Sequence, residues 1–245
     1  MFYREAIMRR RSRRSFTGKL PDISHVKMIK NIIDEINEDN NLSIQMIIDE
    51  PAGFSGIKST YGMFNGVKNY IALVGPKSDE NVHEKLGYFG EQILLTCEVL
   101  GYGTCWVGGT FDRDKCKCKV DEDEVFVCAI VFGNVRKNTS IREKAVTKAL
   151  HSVTKKPKLK ELFHAREEVP NWFIEGMRMV ERAPSALNKM PVKFFYSGDG
   201  VMAKVKNPKV INYYDLGIAK FHFKIGAEEG TWDFGNGGIF LRDEE

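Results

Sequence analysis

Short β-branched runs alternate along this chain with long helical segments, and this alternation restricts the fold more than any other feature. The runs at residues 44–48, 70–74 and 125–132 are bounded by Gly, Pro or Asp, which is typical of buried strands. Between the second and third runs, residues 81–100 carry apolar side chains at helical spacing, and Gly101 marks the end of that helix. The pattern predicts an α+β or α/β protein with a sheet between helices.

A basic and polar stretch, residues 140–160, separates this first pattern from a shorter second one. The second pattern contains a strand at residues 192–196 and a helix at residues 214–229. We therefore predict two domains, residues 1–145 and residues 146–245.

Composition excludes several classes of protein. Apolar residues make up 42% of the chain, enough for a packed core, so a disordered chain is excluded. No apolar run approaches the roughly twenty residues of a membrane helix, and the odd number of five cysteines argues against a complete disulfide framework. We expect a cytoplasmic protein without a membrane partner. The net charge of +4 excludes a histone-like protein.

The positive charge is concentrated at the N-terminus, where the first twenty residues hold seven basic side chains and a single acidic one. Five arginines and two serines fall within residues 9–16. Planar guanidinium groups suit phosphate oxygens, so this segment is a candidate phosphate site. A solvated face, a localisation signal or a nucleic-acid patch are the alternatives, although the slightly acidic remainder of the chain argues against nucleic acid.

Three other segments carry possible binding groups. Residues 100–111 place four glycines around Trp106, which suits either backbone contact with a flat ligand or a tight turn anchored by the tryptophan. Residues 182–191 place a serine and an asparagine between two prolines, and Asn65 and Lys68 fall in a short turn before a strand. Each of these segments is ordinary when taken alone.

The combination of motifs is more specific than any one of them. The chain contains Arg-Arg-Ser-x-Arg-x-Phe, then Leu-Gly-x-Gly-Thr-x-Trp-x-Gly-Gly after a long helix, then Ala-Pro-Ser-Ala-x-Asn-x-x-Pro. Together they resemble the nitroreductase family of flavoproteins, in particular the branch in which one chain imitates the usual two-subunit dimer. The resemblance implies an α+β sandwich with a central, mostly antiparallel sheet flanked by helices, built from two fused and trimmed halves.

The resemblance also implies FMN as the cofactor. Arg10, Arg11 and Ser12 would bind its phosphate, with Arg142 as a further phosphate contact, and Arg14 would lie near the pyrimidine edge of the ring. Two further contacts are implied at this edge, Asn65 and Lys68. The segment implied to lie against the ring is Trp106, Val107, Gly108 and Gly109. The loop that the partner subunit supplies in dimeric relatives corresponds to Pro184, Ser185 and Asn188.

The implied activity is NAD(P)H-dependent reduction of a small molecule such as a nitroaromatic or a quinone. Hydride would pass through flavin N5, so no catalytic side chain is required. We expect a monomeric pseudo-dimer or a weak homo-oligomer with a small-molecule substrate and no nucleic-acid partner. Gly108, Met190 and Val192 depart from common family residues, which leaves the substrate and the nicotinamide open. A flavin sensor or store without turnover and a binder of anionic macromolecules are the alternative functions.

Two further groups of residues are weak candidates. Cys116 and Cys118 are too closely spaced for the usual zinc pair, so we predict exposed loop thiols and no metal site. His222 lies in the last predicted helix, where it either faces the active site or is a satisfied helix residue.

Overall fold

The computed structural model describes residues 2–56, 60, 62–139, 143–148, 156–198, 200–206 and 209–242. The chain forms two compact units, each assembled from separate segments. The first unit comprises Arg9–Asp79 and Ile93–Ala149, and the second comprises Met1–Met8, Glu80–Gln92 and Leu150–Glu245. The predicted division into fused halves, 1–145 and 146–245, stays a prediction.

The described residues form five helices of eight residues or more, and two of them were predicted from the apolar spacing, at residues 81–100 and 214–229. The five helices are α1 (Phe2–Arg9), α2 (Ile23–Asn40), α3 (Val82–Val99), α4 (Asn171–Arg182) and α5 (Val210–Ala227). Residues 143–148 are also helical. Helix α2 begins where the Asp22 carboxylate accepts the Ser24 N–H, and ends at Asn41, which adopts a left-handed conformation. None of the helices in the described residues is long and apolar enough to cross a membrane.

The first unit contains an antiparallel sheet of four strands in the order β1-β2-β4-β3. The strands are β1 (Gln45–Ile47), β2 (Asn69–Pro76), β3 (Gly103–Val107) and β4 (Glu124–Gly133). Strand β2 is buried on both faces, which explains its continuous apolar run. On one face Tyr70 packs against Phe54, which stacks on Phe111.

The second unit contains five strands in the order β5-β6-β7-β9-β8. The strands are β5 (Phe163–Ala165), β6 (Val192–Ser197), β7 (Gly200–Val205), β8 (Thr231–Trp232) and β9 (Ile239–Leu241). Strand β5 is parallel to β6, and the other pairs are antiparallel. Helices α4 and α5 pack closely, because Gly176 leaves room for the ring of Phe223. A buried aromatic cluster joins these helices to the sheet.

Helices and mostly antiparallel strands confirm the predicted α+β class. The described strands lie in two sheets, one in each unit, where the sequence predicted a central sheet. Strand β3 and the short strands of the second unit were not predicted. They are brief and flanked by glycine or polar residues, so pairing with distant strands, rather than local pattern, defines them.

Candidate functional site

The arginine segment, residues 10–16, is joined to two other parts of the first unit. Arg13 N–H donates to the carbonyl of Thr104 in β3 at 2.7 Å. On the other side, Asn65 N–H donates to the carbonyl of Arg14, and Phe16 N–H donates to the carbonyl of Asn65, both at 2.9 Å. The structure therefore brings the N-terminal motif, β3 and Asn65 together.

This approach requires a glycine beside Asn65. Gly66 has a φ of +68°, in the left-handed region, and a Cβ at this position would overlap the carbonyl oxygen of Phe16. Lys68, two residues further on, is partly exposed and forms an ion pair with Asp49 at 2.8 Å. Asn65 is exposed. Asn65 therefore lies beside the arginine segment, and both predicted ring-edge residues are at least partly exposed.

The arginines of the segment differ in their environment. Arg13 is buried, and its guanidinium contacts Glu143 and the carbonyl of Arg136, so it is a structural residue. Arg10 is half-buried, and its buried Nε has no hydrogen-bond partner among the described residues. Arg11 is exposed, and Arg14 is half-buried. The Arg14 guanidinium lies 3.5 Å from the carbonyl of Ser12, so the arginines of one segment differ in how far the fold engages their side chains.

Cys105 of β3 carries a buried thiol on which several groups of the arginine segment act. Burial raises the pKa of its thiol, while the positive charges of Arg14 and Arg10 and a hydrogen bond with Ser12 act in the opposite direction. Three of the predicted phosphate and ring-edge residues therefore influence the same buried thiol. No motif pointed to Cys105 beforehand.

An acidic residue that sequence reasoning missed also contacts the segment. The Glu143 carboxylate is almost fully buried and accepts hydrogen bonds from Arg14 N–H at 2.6 Å, Ser15 N–H at 2.9 Å and Arg13 Nε at 3.3 Å. Its neighbour Arg142, the further predicted phosphate contact, lies outside the described residues. The only sequence signal for Glu143 is an acidic residue in an otherwise basic stretch.

The glycine-tryptophan segment was predicted as a loop and is largely a strand. Residues Gly103–Val107 form β3, paired with β4, because alternate positions fit the core despite the glycine at its start. The side chain of Val107 is buried in that core, so only its backbone is available to a ligand. Trp106 is half-buried, and Gly108 and Gly109 are exposed beyond the strand. A Cβ on Gly109 would meet no atom within 4 Å.

Arg113 holds this exposed turn in place. Its guanidinium donates to the carbonyls of Gly108 at 3.0 Å and Val127 at 2.8 Å, and it lies over the rings of Phe111 and Phe126. Such a planar group can stack and donate several hydrogen bonds at once. Nothing in the sequence distinguished Arg113 from the surrounding surface charges.

The predicted Pro184, Ser185 and Asn188 lie in the second unit, whereas the other described contacts belong to the first. The Ser185 hydroxyl accepts the Met190 N–H at 2.9 Å. Leu187, Asn188 and Met190 all have positive φ, so this loop holds an uncommon backbone conformation.

The loop is also anchored to α5 by a buried acid. Both oxygens of Asp215 lie within hydrogen-bond distance of the Ala186 N–H, at 2.9 and 3.2 Å. Burial raises the pKa of Asp215 from 3.8 to about 7, and the bond from Ala186 partly opposes this rise.

The weaker candidates occupy packed positions. Cys116 and Cys118 were predicted as exposed and are instead half-buried, packed against the core of the first unit, where burial raises the pKa of both thiols. His222 is fully buried, with Nδ1 bonded to the carbonyl of Met179 and Nε2 to the carboxylate of Glu91. It is therefore a satisfied helix residue. Among the described residues, no group of three or more His, Cys, Asp or Glu could hold a metal ion.

Comparison with known proteins assigns the family. The sequence matches the family described as "Putative TM nitroreductase" over residues 3–227. The chain belongs to this nitroreductase family, which is a family of oxidoreductases. No curated protein matches the sequence.

A solved structure with a TM-score above 0.5 shares the fold, and two others are similar over part of the chain. A nitroreductase-like protein from Thermotoga maritima MSB8 is 21% identical, with a TM-score of 0.64, 100% of this chain and 95% of that chain being covered. An FMN-dependent nitroreductase from Clostridium difficile R20291 is 16% identical, with a TM-score of 0.44 over 55% of this chain and 90% of its own. A protein from Bacteroides thetaiotaomicron VPI-5482, described as an NADH dehydrogenase/NAD(P)H nitroreductase, is 16% identical, with a TM-score of 0.47 over 68% of this chain and 98% of its own.

Proposed function

We propose that this protein is an FMN-dependent oxidoreductase that uses NAD(P)H to reduce a small acceptor such as a nitroaromatic or a quinone. The observation that carries the proposal is the buried Nε of Arg10, which has no hydrogen-bond partner among the described residues, although the N–H groups of residues 13–17 are all hydrogen-bonded. A buried donor without an acceptor is costly, so a ligand that supplies one is favoured. Membership of the nitroreductase family supports a flavin as that ligand.

The groups around Arg10 fit the phosphate of FMN. Arg11 is exposed beside it, and Ser12 adds a hydroxyl donor next to the same strand. Guanidinium groups bind phosphate oxygens through paired, charge-assisted hydrogen bonds. We assign Arg10, Arg11 and Ser12 to the phosphate, with Arg142 as a further contact.

The cations further along would act at the ring. When bound, FMN would accept a hydride from the reduced nicotinamide and pass the electrons to the acceptor. A guanidinium at the pyrimidine edge favours the reduced form, because reduction adds negative charge there. Arg14 is assigned this role, with Asn65 and Lys68 as neighbours. Because Lys68 is paired with Asp49, it would contribute through an ion pair shared with that carboxylate.

The remaining assignments rest on the resemblance. The ring of Trp106 and the exposed backbone at Gly108 and Gly109 suit contact with the flat face of a cofactor. Val107 would contribute its backbone alone, since its side chain is buried. The residues Pro184, Ser185 and Asn188 are proposed to complete the pocket as the partner-subunit loop does in dimeric relatives.

The proposed setting follows from the same reasoning. The five cysteines are all free, as expected for a cytoplasmic protein, which is the location that we propose. We further propose a small-molecule substrate and a monomer or weak homo-oligomer.

An absorption spectrum of the purified protein, with and without added FMN, tests the proposal. We expect a flavin spectrum that NADH or NADPH bleaches in the absence of oxygen. A protein that stays colourless with FMN would refute the proposal. A flavin spectrum that neither nicotinamide bleaches would instead indicate a flavin sensor or store.

Matched variants test the phosphate assignment. Replacing Arg10 with alanine should weaken FMN binding about tenfold or more, since a charge-assisted hydrogen bond is lost. Replacing Lys19, an exposed cation of the same N-terminal stretch, with alanine should leave the affinity nearly unchanged. Equal affinities for the two variants would contradict the assignment of Arg10.

A further inference from the structure

Glu143 is a buried acid that faces the most basic segment of the chain. One of its oxygens, Oε1, accepts all three hydrogen bonds, from Arg13 Nε, Arg14 N–H and Ser15 N–H. Its residue is only 2% exposed. A carboxylate that is buried to this extent and saturated on one oxygen is typical of a group that fixes its neighbours.

The two backbone bonds from Arg14 and Ser15 complete an unbroken series. Arg13 N–H donates to Thr104, Phe16 N–H donates to Asn65, and Thr17 N–H donates to Asn134. Glu143 takes the two consecutive N–H groups that lie between these bonds. Neither β3 nor Asn65 supplies an acceptor to those groups. Without Glu143, the N–H groups of Arg14 and Ser15 would therefore lose the hydrogen bonds that fix the middle of the segment.

We propose that Glu143 is a positioning residue that holds the arginine segment in its FMN-binding conformation by accepting the N–H groups of Arg14 and Ser15. This inference rests on the proposed function for its ligand, but not for the contact itself. The Arg14 N–H donates to Glu143, and the Arg14 carbonyl accepts from the Asn65 N–H. The direction of the Arg14 side chain therefore depends on both bonds, because they fix its backbone. Ser12 pairs with Thr104 of β3, and the charge of Arg10 acts on the neighbouring Cys105 thiol.

Geometry and charge make opposite predictions for Glu143. As an acceptor, it orders the segment and supports binding. As a negative charge near bound phosphate, it would oppose binding. Glutamine keeps an oxygen at the Oε1 position and removes the charge, whereas aspartate keeps the charge but is one methylene shorter.

Three variants therefore separate the two effects. We expect Glu143→Ala and Glu143→Asp to weaken FMN binding about tenfold or more, because buried N–H groups lose their acceptor. We expect Glu143→Gln to bind FMN within about threefold of the parent or more tightly. Lys148→Ala, an exposed change in the same helical segment, is the matched control and should bind as the parent does.

The binding experiment is a titration of each apoprotein with FMN, followed by quenching of flavin fluorescence. Titration with riboflavin, which lacks the phosphate, shows how much of each loss concerns the phosphate end. Hydrogen exchange of the Arg14 and Ser15 amides, measured by NMR without cofactor, reports on the contact directly. Exchange should be faster in Glu143→Asp than in Glu143→Gln.

The outcomes distinguish this inference from the proposed function. If the parent does not bind FMN, the proposed function fails, and amide exchange alone decides whether Glu143 orders the segment. Parental affinity and parental exchange in Glu143→Asp would overturn the inference. An equal loss of affinity in Glu143→Gln and Glu143→Asp would also overturn it, because an acceptor oxygen at the Oε1 position would then not be enough to support binding. If Glu143→Ala does not fold, these two conservative variants still decide.

Discussion

Replacing Asp215 with asparagine should stabilise the protein above neutral pH and remove part of the pH dependence of its stability. Asp215 is 4% exposed, and its one protein partner among the hydrogen bonds of the described residues is the Ala186 N–H. Burial raises the pKa of its carboxyl from 3.8 to about 7. Asparagine keeps a carbonyl oxygen for Ala186 and cannot ionise.

The sign of the effect follows from where the proton is held. Below pH 3.8, Asp215 is protonated in both the folded and the unfolded chain, so its ionisation takes nothing away from the stability of the fold. Between pH 3.8 and about 7 the unfolded chain releases a proton that the folded protein retains, so stability falls as the pH rises. Each pH unit corresponds to about 1.4 kcal/mol, so the total loss is about 4 kcal/mol above pH 7.

Urea unfolding followed by circular dichroism, from pH 5 to pH 8.5, measures this loss. The stability of Asp215→Asn relative to the parent should increase with pH and level off above pH 7, by an amount of about 2–4 kcal/mol. Asp39→Asn, at an exposed position of α2, makes the same charge change and should show no such trend. A stability difference between Asp215→Asn and the parent that is constant over this pH range would refute the reasoning.

Two further substitutions test the packing around the site and in the second unit. Gly66→Ala should destabilise the protein by about 1–3 kcal/mol, as measured by urea unfolding, because the left-handed backbone and the nearby Phe16 carbonyl both oppose a Cβ. An unchanged urea midpoint would contradict the close approach of Gly66 to the Phe16 carbonyl. Lys220→Met should lower the free energy of unfolding by about 3–5 kcal/mol, because the buried Glu84 carboxylate loses its ion-pair partner. Adding Glu84→Gln should recover part of this loss. A double variant that is less stable than Lys220→Met would contradict the pairing.

Much of the fold could be predicted because its signals are local. Helix α2 has an apolar face and a capping aspartate, Asp22, and the buried strand β2 is a continuous β-branched run. Strand β3 was read as a glycine-rich loop, since its strand character depends on pairing with β4, more than twenty residues later. The half-buried positions of Cys116 and Cys118 were missed for the same reason. Packing against a distant core cannot be read from the charged residues around them.

The sequence by itself determined where the basic charge is concentrated, which segments are helical and which motifs resemble the nitroreductase family. Only the tertiary structure decided which arginines are buried and hydrogen-bonded within the fold. Arg13 pairs with Glu143, 130 positions away along the chain, whereas the Nε of Arg10 has no hydrogen-bond partner in the part of the chain that the structure describes. The physical reason is that burial and hydrogen bonding depend on groups that only the tertiary fold brings together. Neighbouring arginines are therefore indistinguishable in the sequence alone.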